Sequence, residues 1–500
     1  PPATNYVDRL VHEKLRQLKY LPSERCGDYE FIRRVYLDVL GVLPTIKEVE
    51  TFVAAAPQTD EVDKRTRLID EVLERPEYAS FWALKWGDLL RLTRIQVGDE
   101  GVYKYHRWLR NAFAANMPYD RFVRELLTAG GSTFVNPTAN YFRGANDPSG
   151  LMESTTQVFL GARLQCAKCH NHPFERWTQD NYYGMSAFFG RVKAKKTARP
   201  EELVIWTQRS GEVTHPRTGR VAKPWVPVRG EIKTPSDGDR RPVLVDWLTN
   251  ADNPYLAKVE VNRIWSHLLG RGIVEPFDDF RDTNPPAIGA LLDALAEDFV
   301  AHGFDRKYII RTILNSRTYQ ASSTPNEFNT EDIKYFSHFH PRMLTAEQIV
   351  NAISQVSGVA GTFAQLPVGA RATDVPSPDV LAEEESNSFL KIFGQSERQT
   401  VCECERSGDA RLGQALQLFN GKFVQDKLVD QDNRFRRLIK ANRSNEEILR
   451  ELYLSAYART PSEGELRQNL EYIARSEDRG KALEDITWVL LNANEFLFQH

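Results

Sequence analysis

The 500-residue chain is too long for one comfortable hydrophobic core, so two or three domains are expected. Its hydrophobic fraction of 41% and aromatic fraction of 11% exclude a disordered chain. A formal charge of -3 and the lack of any long basic block argue against a nucleic-acid partner.

In chain order, apolar residues recur at helical spacing over residues 5–20, where Val7, Leu10, Val11, Leu15 and Leu18 share a face. A second helix carries Phe31, Val35, Leu37 and Leu40 and stops at Gly41, ahead of Pro44. Residues 46–54, 65–73, 78–92, 103–116 and 119–128 continue the helical pattern. Residues 133–150 are dense in Asn, Pro and Gly and read as a long loop, a candidate cover for a nearby site. A helix over 152–169 is expected to lead into a cysteine motif, and 177–189 closes the first unit. Residues 192–235 differ: Leu203-Val204-Ile205-Trp206 favours a strand, and Gly211, Pro216 and Gly219 mark turns. Helical periodicity returns from Arg241 and covers most of the chain to its end, with a loop-rich stretch at 360–400. The expected fold is mainly α: a helical domain at 1–191, a small β-hairpin or sheet module at 192–240, and a helical domain at 241–500. No run of about 18 apolar residues is present, so no membrane span is expected. The start at Pro1-Pro2-Ala3 reads as processed or trimmed, and the expectation is a periplasmic or otherwise exported protein whose signal peptide has been removed.

The chemistry is concentrated in cysteine. The five cysteines are too few for a disulfide scaffold, yet four fall in two tight pairs. Cys166-Ala167-Lys168-Cys169-His170 fits the c-type haem attachment pattern. Two thiols three positions apart on a helical turn share a face and can form thioethers with two haem vinyls. The next residue, His170, can then reach the iron. Met185 is a candidate second axial ligand, although methionine more often fills cores. The second pair is Cys402-Glu403-Cys404. If the chain folds back, Cys166, Cys169, Cys402 and Cys404 could hold zinc, iron or copper, with His170 or His172 replacing a thiolate. Cys26 reads as an ordinary small residue. Among other groups, Asp278 and Asp279 read as an acidic cap or salt-bridged loop, and Asn262 as a satisfier of buried backbone. His338 and His340, on either side of Phe339, form a candidate metal pair. No phosphate-binding glycine loop and no Gly-x-Ser-x-Gly elbow is present, which disfavours a nucleotide enzyme or a serine hydrolase.

Gln165-Cys166-Ala167-Lys168-Cys169-His170-Asn171-His172-Pro173-Phe174, followed by Trp177-Thr178-Gln179-Asp180-Asn181-Tyr182-Tyr183, resembles the signature of a planctomycete-type cytochrome-like domain of unknown function. Arg33-Arg34-Val35-Tyr36-Leu37-Asp38 and Trp82-Ala83-Leu84-Lys85-Trp86-Gly87-Asp88 are similar to its earlier parts. Val261-Asn262-Arg263-Ile264-Trp265, Asp278-Asp279-Phe280 and Ser316-Arg317-Thr318-Tyr319-Gln320 resemble the planctomycete-specific C-terminal domain fused to it. The resemblance implies an exported protein from bacteria rich in polysaccharide-degrading and sulfatase genes. The function expected is a periplasmic redox protein carrying haem c, with a redox partner. One alternative is an enzyme with a Cys/His metal centre acting on a carbohydrate-related substrate. The other is a non-catalytic structural or surface-assembly protein.

Overall fold

The computed structural model describes residues 3–55, 63–145, 147–173, 175–363, 366–380, 385–401 and 412–500. The fold is mainly helical with small β modules, as the periodicity predicts. Tyr6–Leu18 begins where the Asn5 side chain accepts from the backbone of Val7 and Asp8. Asp28–Leu40 ends at Gly41, whose φ of +69° is left-handed. In the last part of the chain, Asn445–Tyr457 and Glu463–Arg475 both start with a capping box, Ser444 with Glu447 and Ser462 with Glu465.

The first and last parts of the chain share one apolar core, running from Val7 to Leu497. Helix Asp28–Leu40 lies inside it, and its buried arginines are held by carbonyls far away in sequence. Arg33 donates to Ala456 and Phe496, at 3.0 and 2.9 Å. Arg34 donates to Tyr319 and Ala321, at 2.6 and 2.8 Å. Burying a guanidinium costs free energy unless its N–H groups are met, and here that requirement fixes how the segments dock. A second anchor is Glu260, which accepts from Arg263 and Arg306 at 2.6 and 2.7 Å. The Arg306 guanidinium also lies 4.4 to 5.1 Å from the ring centres of Tyr119, Phe122 and Trp86. Asp279 pairs with Arg281, and Asn262 bonds both the N–H and the carbonyl of Val274. Cys26 is buried and unbridged.

Two sequence expectations are corrected. Residues 133–150 are not a long loop: a 3-10 helix occupies Pro137–Arg143, and Tyr141 and Phe142 pack into the core. Asn136-Pro137 and Asp147-Pro148 are helix starts, with proline at the first helical position. Density of turn residues marked the ends of short helices here. The helix expected over 152–169 is Pro148–Leu160 and stops well before the cysteines, because Gly161 takes φ +61°. The expected β-rich stretch forms small sheets, one of which takes in an edge from the helical segment before it. Val192–Lys196 pairs antiparallel with Leu203–Thr207, whose other edge pairs with Gly131–Ser132 from the helical segment. A separate two-stranded unit joins Trp225–Val226 to Gly230–Glu231.

Candidate functional site

The Cys-x-x-Cys-His motif is reached through the turn at Gly161. Leu164 is buried and accepts from the Ala167 N–H, starting a 3-10 turn over Gln165–Lys168. Ala167 faces the core, and the residues around it, Cys166, Cys169 and His170, are turned to the surface. Both cysteines are unbridged thiols.

The segment C-terminal to the motif holds it in place. Thr178 and Asn181 form a reciprocal cap that starts helix Gln179–Ser186. The first residue of that helix, Gln179, is buried and clamps the motif. Its side-chain amide donates to the Lys168 carbonyl at 2.9 Å and the Cys169 carbonyl at 3.3 Å. Its backbone N–H donates to the Asn171 side chain at 3.0 Å. The Tyr183 hydroxyl donates to the Lys168 carbonyl at 3.2 Å. Burial, then the Cys169 thiol, hold the Tyr183 phenol above its ordinary pKa.

The two histidines differ in a way that bears on ligation. The His170 Nδ1 lies 2.8 Å from the Asn171 carbonyl oxygen. A carbonyl can only accept, so Nδ1 carries the proton and Nε2 presents a lone pair. The His172 Nδ1 instead accepts the Glu175 backbone N–H at 3.0 Å, which puts the proton of the neutral ring on Nε2. The His172 backbone N–H also donates to the Trp177 carbonyl at 2.8 Å. His172 therefore closes the loop after the motif, whereas the neutral His170 ring carries its lone pair on Nε2.

Met185 lies in the core at 2% exposure, on helix Gln179–Ser186. Cys402 and Cys404 lie outside the described residues, as does Phe174. Among the described residues no group of three or more His, Cys, Asp or Glu is placed to hold a metal ion. Trp177 is buried and meets Trp225 edge-on at 6.3 Å, so it packs the loop onto the β module.

The motif sits where the first and second parts of the chain meet. Arg176 donates to the Tyr255 hydroxyl at 2.6 Å, and Glu175 accepts from Thr283 at 2.7 Å. Arg163 donates to Asp278 at 2.6 Å, and Gln157 donates to the same carboxylate at 2.8 Å. The sequence pattern identified the cysteines and His170 but not these supports. The one local signal was the Thr178-x-x-Asn181 cap, which places Gln179 at a helix start.

Residues 6–194 match the family model PSCyt2, described as a protein of unknown function (DUF1549). Residues 240–473 match PSD1, described as a protein of unknown function (DUF1553). No curated protein and no solved structure matches the chain. The matched segments are the two that the motif loop ties together, and the chain belongs to the proteins that join the planctomycete cytochrome-like PSCyt2 domain to a PSD1 domain.

Proposed function

We propose that this is an exported c-type haem protein that carries electrons to or from a redox partner. Cys166 and Cys169 would hold the haem covalently, and His170 would ligate its iron through Nε2. The observation that carries this reading is the His170 ring. Its Nδ1 is committed to the Asn171 carbonyl, which leaves the Nε2 lone pair available on the residue that follows two unbridged, exposed thiols in the chain. The cytochrome-like character of the matched PSCyt2 family agrees with it.

The residues fit the group chemically. Both thiols are unbridged, the form in which they would hold a haem through thioether bonds. Gln179 and Tyr183 hold the Lys168 and Cys169 carbonyls, which fixes the backbone that carries the motif. Bound there, haem would supply one-electron chemistry, its potential tuned by axial ligation and exposure. Met185 stays in the core in this proposal, because moving it to the surface would unpack helix Gln179–Ser186.

The test is a pair of histidine variants of the full chain, made in a host with haem-attachment machinery. His170→Ala should keep the covalent haem and shift its absorption spectrum. His172→Gln should leave the spectrum as it is. A spectrum that responds to His172 and ignores His170 would overturn the assignment. Protein that carries about one metal ion per chain and no haem would replace it with the thiolate-centre reading.

A further inference from the structure

A second pair of imidazoles lies away from the cysteine motif, in the irregular chain just before the short strand Arg342–Met343. Phe339 is buried there: the Arg34 guanidinium lies 3.8 Å from its ring centre, and its N–H donates to the Ser322 carbonyl. Ser337 is also pinned, its carbonyl accepting from the Ser23 N–H at 2.8 Å and the Asn329 side chain at 3.3 Å. With the backbone fixed on either side of Phe339, the flanking rings of His338 and His340 meet at 4.4 Å between centres, 66° apart.

Neither ring is satisfied. His338 Nδ1 and His340 Nε2 are shielded from water and have no hydrogen-bond partner among the described residues. His338 is only 8% exposed, while His340 is half-buried and gives access from outside. Buried polar nitrogens without partners are rare in native folds and need a reason. Close packing of two such rings, each with an unmet nitrogen, supplies one if a cation belongs between them. A metal about 2.0–2.1 Å from each nitrogen, with a right angle at the metal, sets ring centres roughly 4.5 Å apart.

We propose that His338 and His340 form a two-imidazole chelate for a divalent first-row transition ion, with Cu(II) bound most tightly and water in the remaining positions. Imidazole suits this class of ion, and adjacent ligands at a right angle match the tetragonal preference of Cu(II). Burial lowers the pKa of both rings, and His338 and Arg271 add to the effect at His340. Asp332 opposes the shift at both rings, but its carboxylate is already taken by the N–H groups of Lys334, Tyr335 and Ser337. Among the described residues no third His, Cys, Asp or Glu completes the set, so the chelate has two protein ligands and open positions.

The test uses the full chain with the motif silenced: Cys166, Cys169, Cys402 and Cys404 changed to Ser, and His170 and His172 to Gln. Titrated with Cu(II) alone, this parent should take up one ion per chain. Its electron paramagnetic resonance spectrum should show coupling to two imidazole nitrogens. His338→Gln and His340→Gln, each checked for an unchanged circular dichroism spectrum, should each weaken binding at least tenfold and remove one nitrogen. Equal binding in parent and variants overturns the proposal. If a variant does not fold, the parent spectrum decides alone: two coupled nitrogens uphold the chelate, and none overturns it.

Discussion

Gly161 sets where the helix before the motif ends, and substituting it separates two costs. Its φ is +61°, and a Cβ there would lie 2.6 Å from Phe280 Cδ2 and 3.1 Å from Val259 Cγ2. The left-handed backbone costs an alanine about 1–2 kcal/mol. The contact with a ring edge inside a packed region adds about 1–3 kcal/mol. Gly303 provides the control: its φ is +66°, and a Cβ there meets nothing within 4 Å. Gly303→Ala should therefore cost only the backbone part, about 1–2 kcal/mol, and Gly161→Ala about 2–5 kcal/mol in total. Both changes reduce unfolded-chain freedom equally, so that contribution cancels in the comparison. The assay is denaturant unfolding of both variants in parallel, followed by tryptophan fluorescence. A Gly161→Ala midpoint no lower than that of Gly303→Ala would refute the packing described around the turn.

Gln179→Ala removes its two side-chain hydrogen bonds to the Lys168 and Cys169 carbonyls and leaves that of Tyr183 to Lys168, a loss of roughly 1–2 kcal/mol. Cys166 and Cys169 should then react faster with a chromogenic disulfide reagent, and unchanged rates would contradict the clamp. Arg398→Met strips the buried Asp88 carboxylate of a partner 2.8 Å away and should destabilise by about 3–5 kcal/mol, read by the same unfolding assay. His106 is buried, and burial, with Arg398 and Arg110 adding, takes its pKa down to about 3 against the opposing Asp374. The unfolded chain therefore gains a proton on this ring as pH falls below 6.5, while the folded chain gains it only near 3. Stability present above pH 6.5 is lost through that window, by on the order of 4 kcal/mol at its acid end. His106→Leu should flatten the stability curve between pH 6.5 and 3, and a curve that keeps its slope would contradict the buried neutral ring.

Helices were legible wherever one apolar face repeats, as in Tyr6–Leu18, Ile46–Ala54 and Leu256–Leu269. Their ends were legible where a single residue decides them, such as Gly41. Gly161 was not, because the residues after it, Ala162 and Leu164, are buried and continue an apolar pattern that the backbone no longer follows. Gly131–Ser132 joins a sheet with two residues, too few to show alternation. Arg33 and Arg34 look like a solvated pair in sequence. Only the fold reveals the carbonyls they meet, hundreds of residues away.

The candidate site divides in the same way. Cys166, Cys169 and His170 were legible because thiol spacing is local and rare. The difference between His170 and His172 was not, since it depends on which backbone group each Nδ1 faces. The meeting of His338 and His340 was expected from alternation along a strand. The segment is irregular, and it is the burial of Phe339 between them that brings the rings together.

Intact-mass spectrometry on the full chain, purified from the organism that makes it, weighs the thiol chemistry directly. The polypeptide should be heavier by one porphyrin-bound iron, the added mass mapping to the peptide containing Cys166 and Cys169. A peptide of unaltered mass, with both sulfurs still alkylatable, would contradict the account.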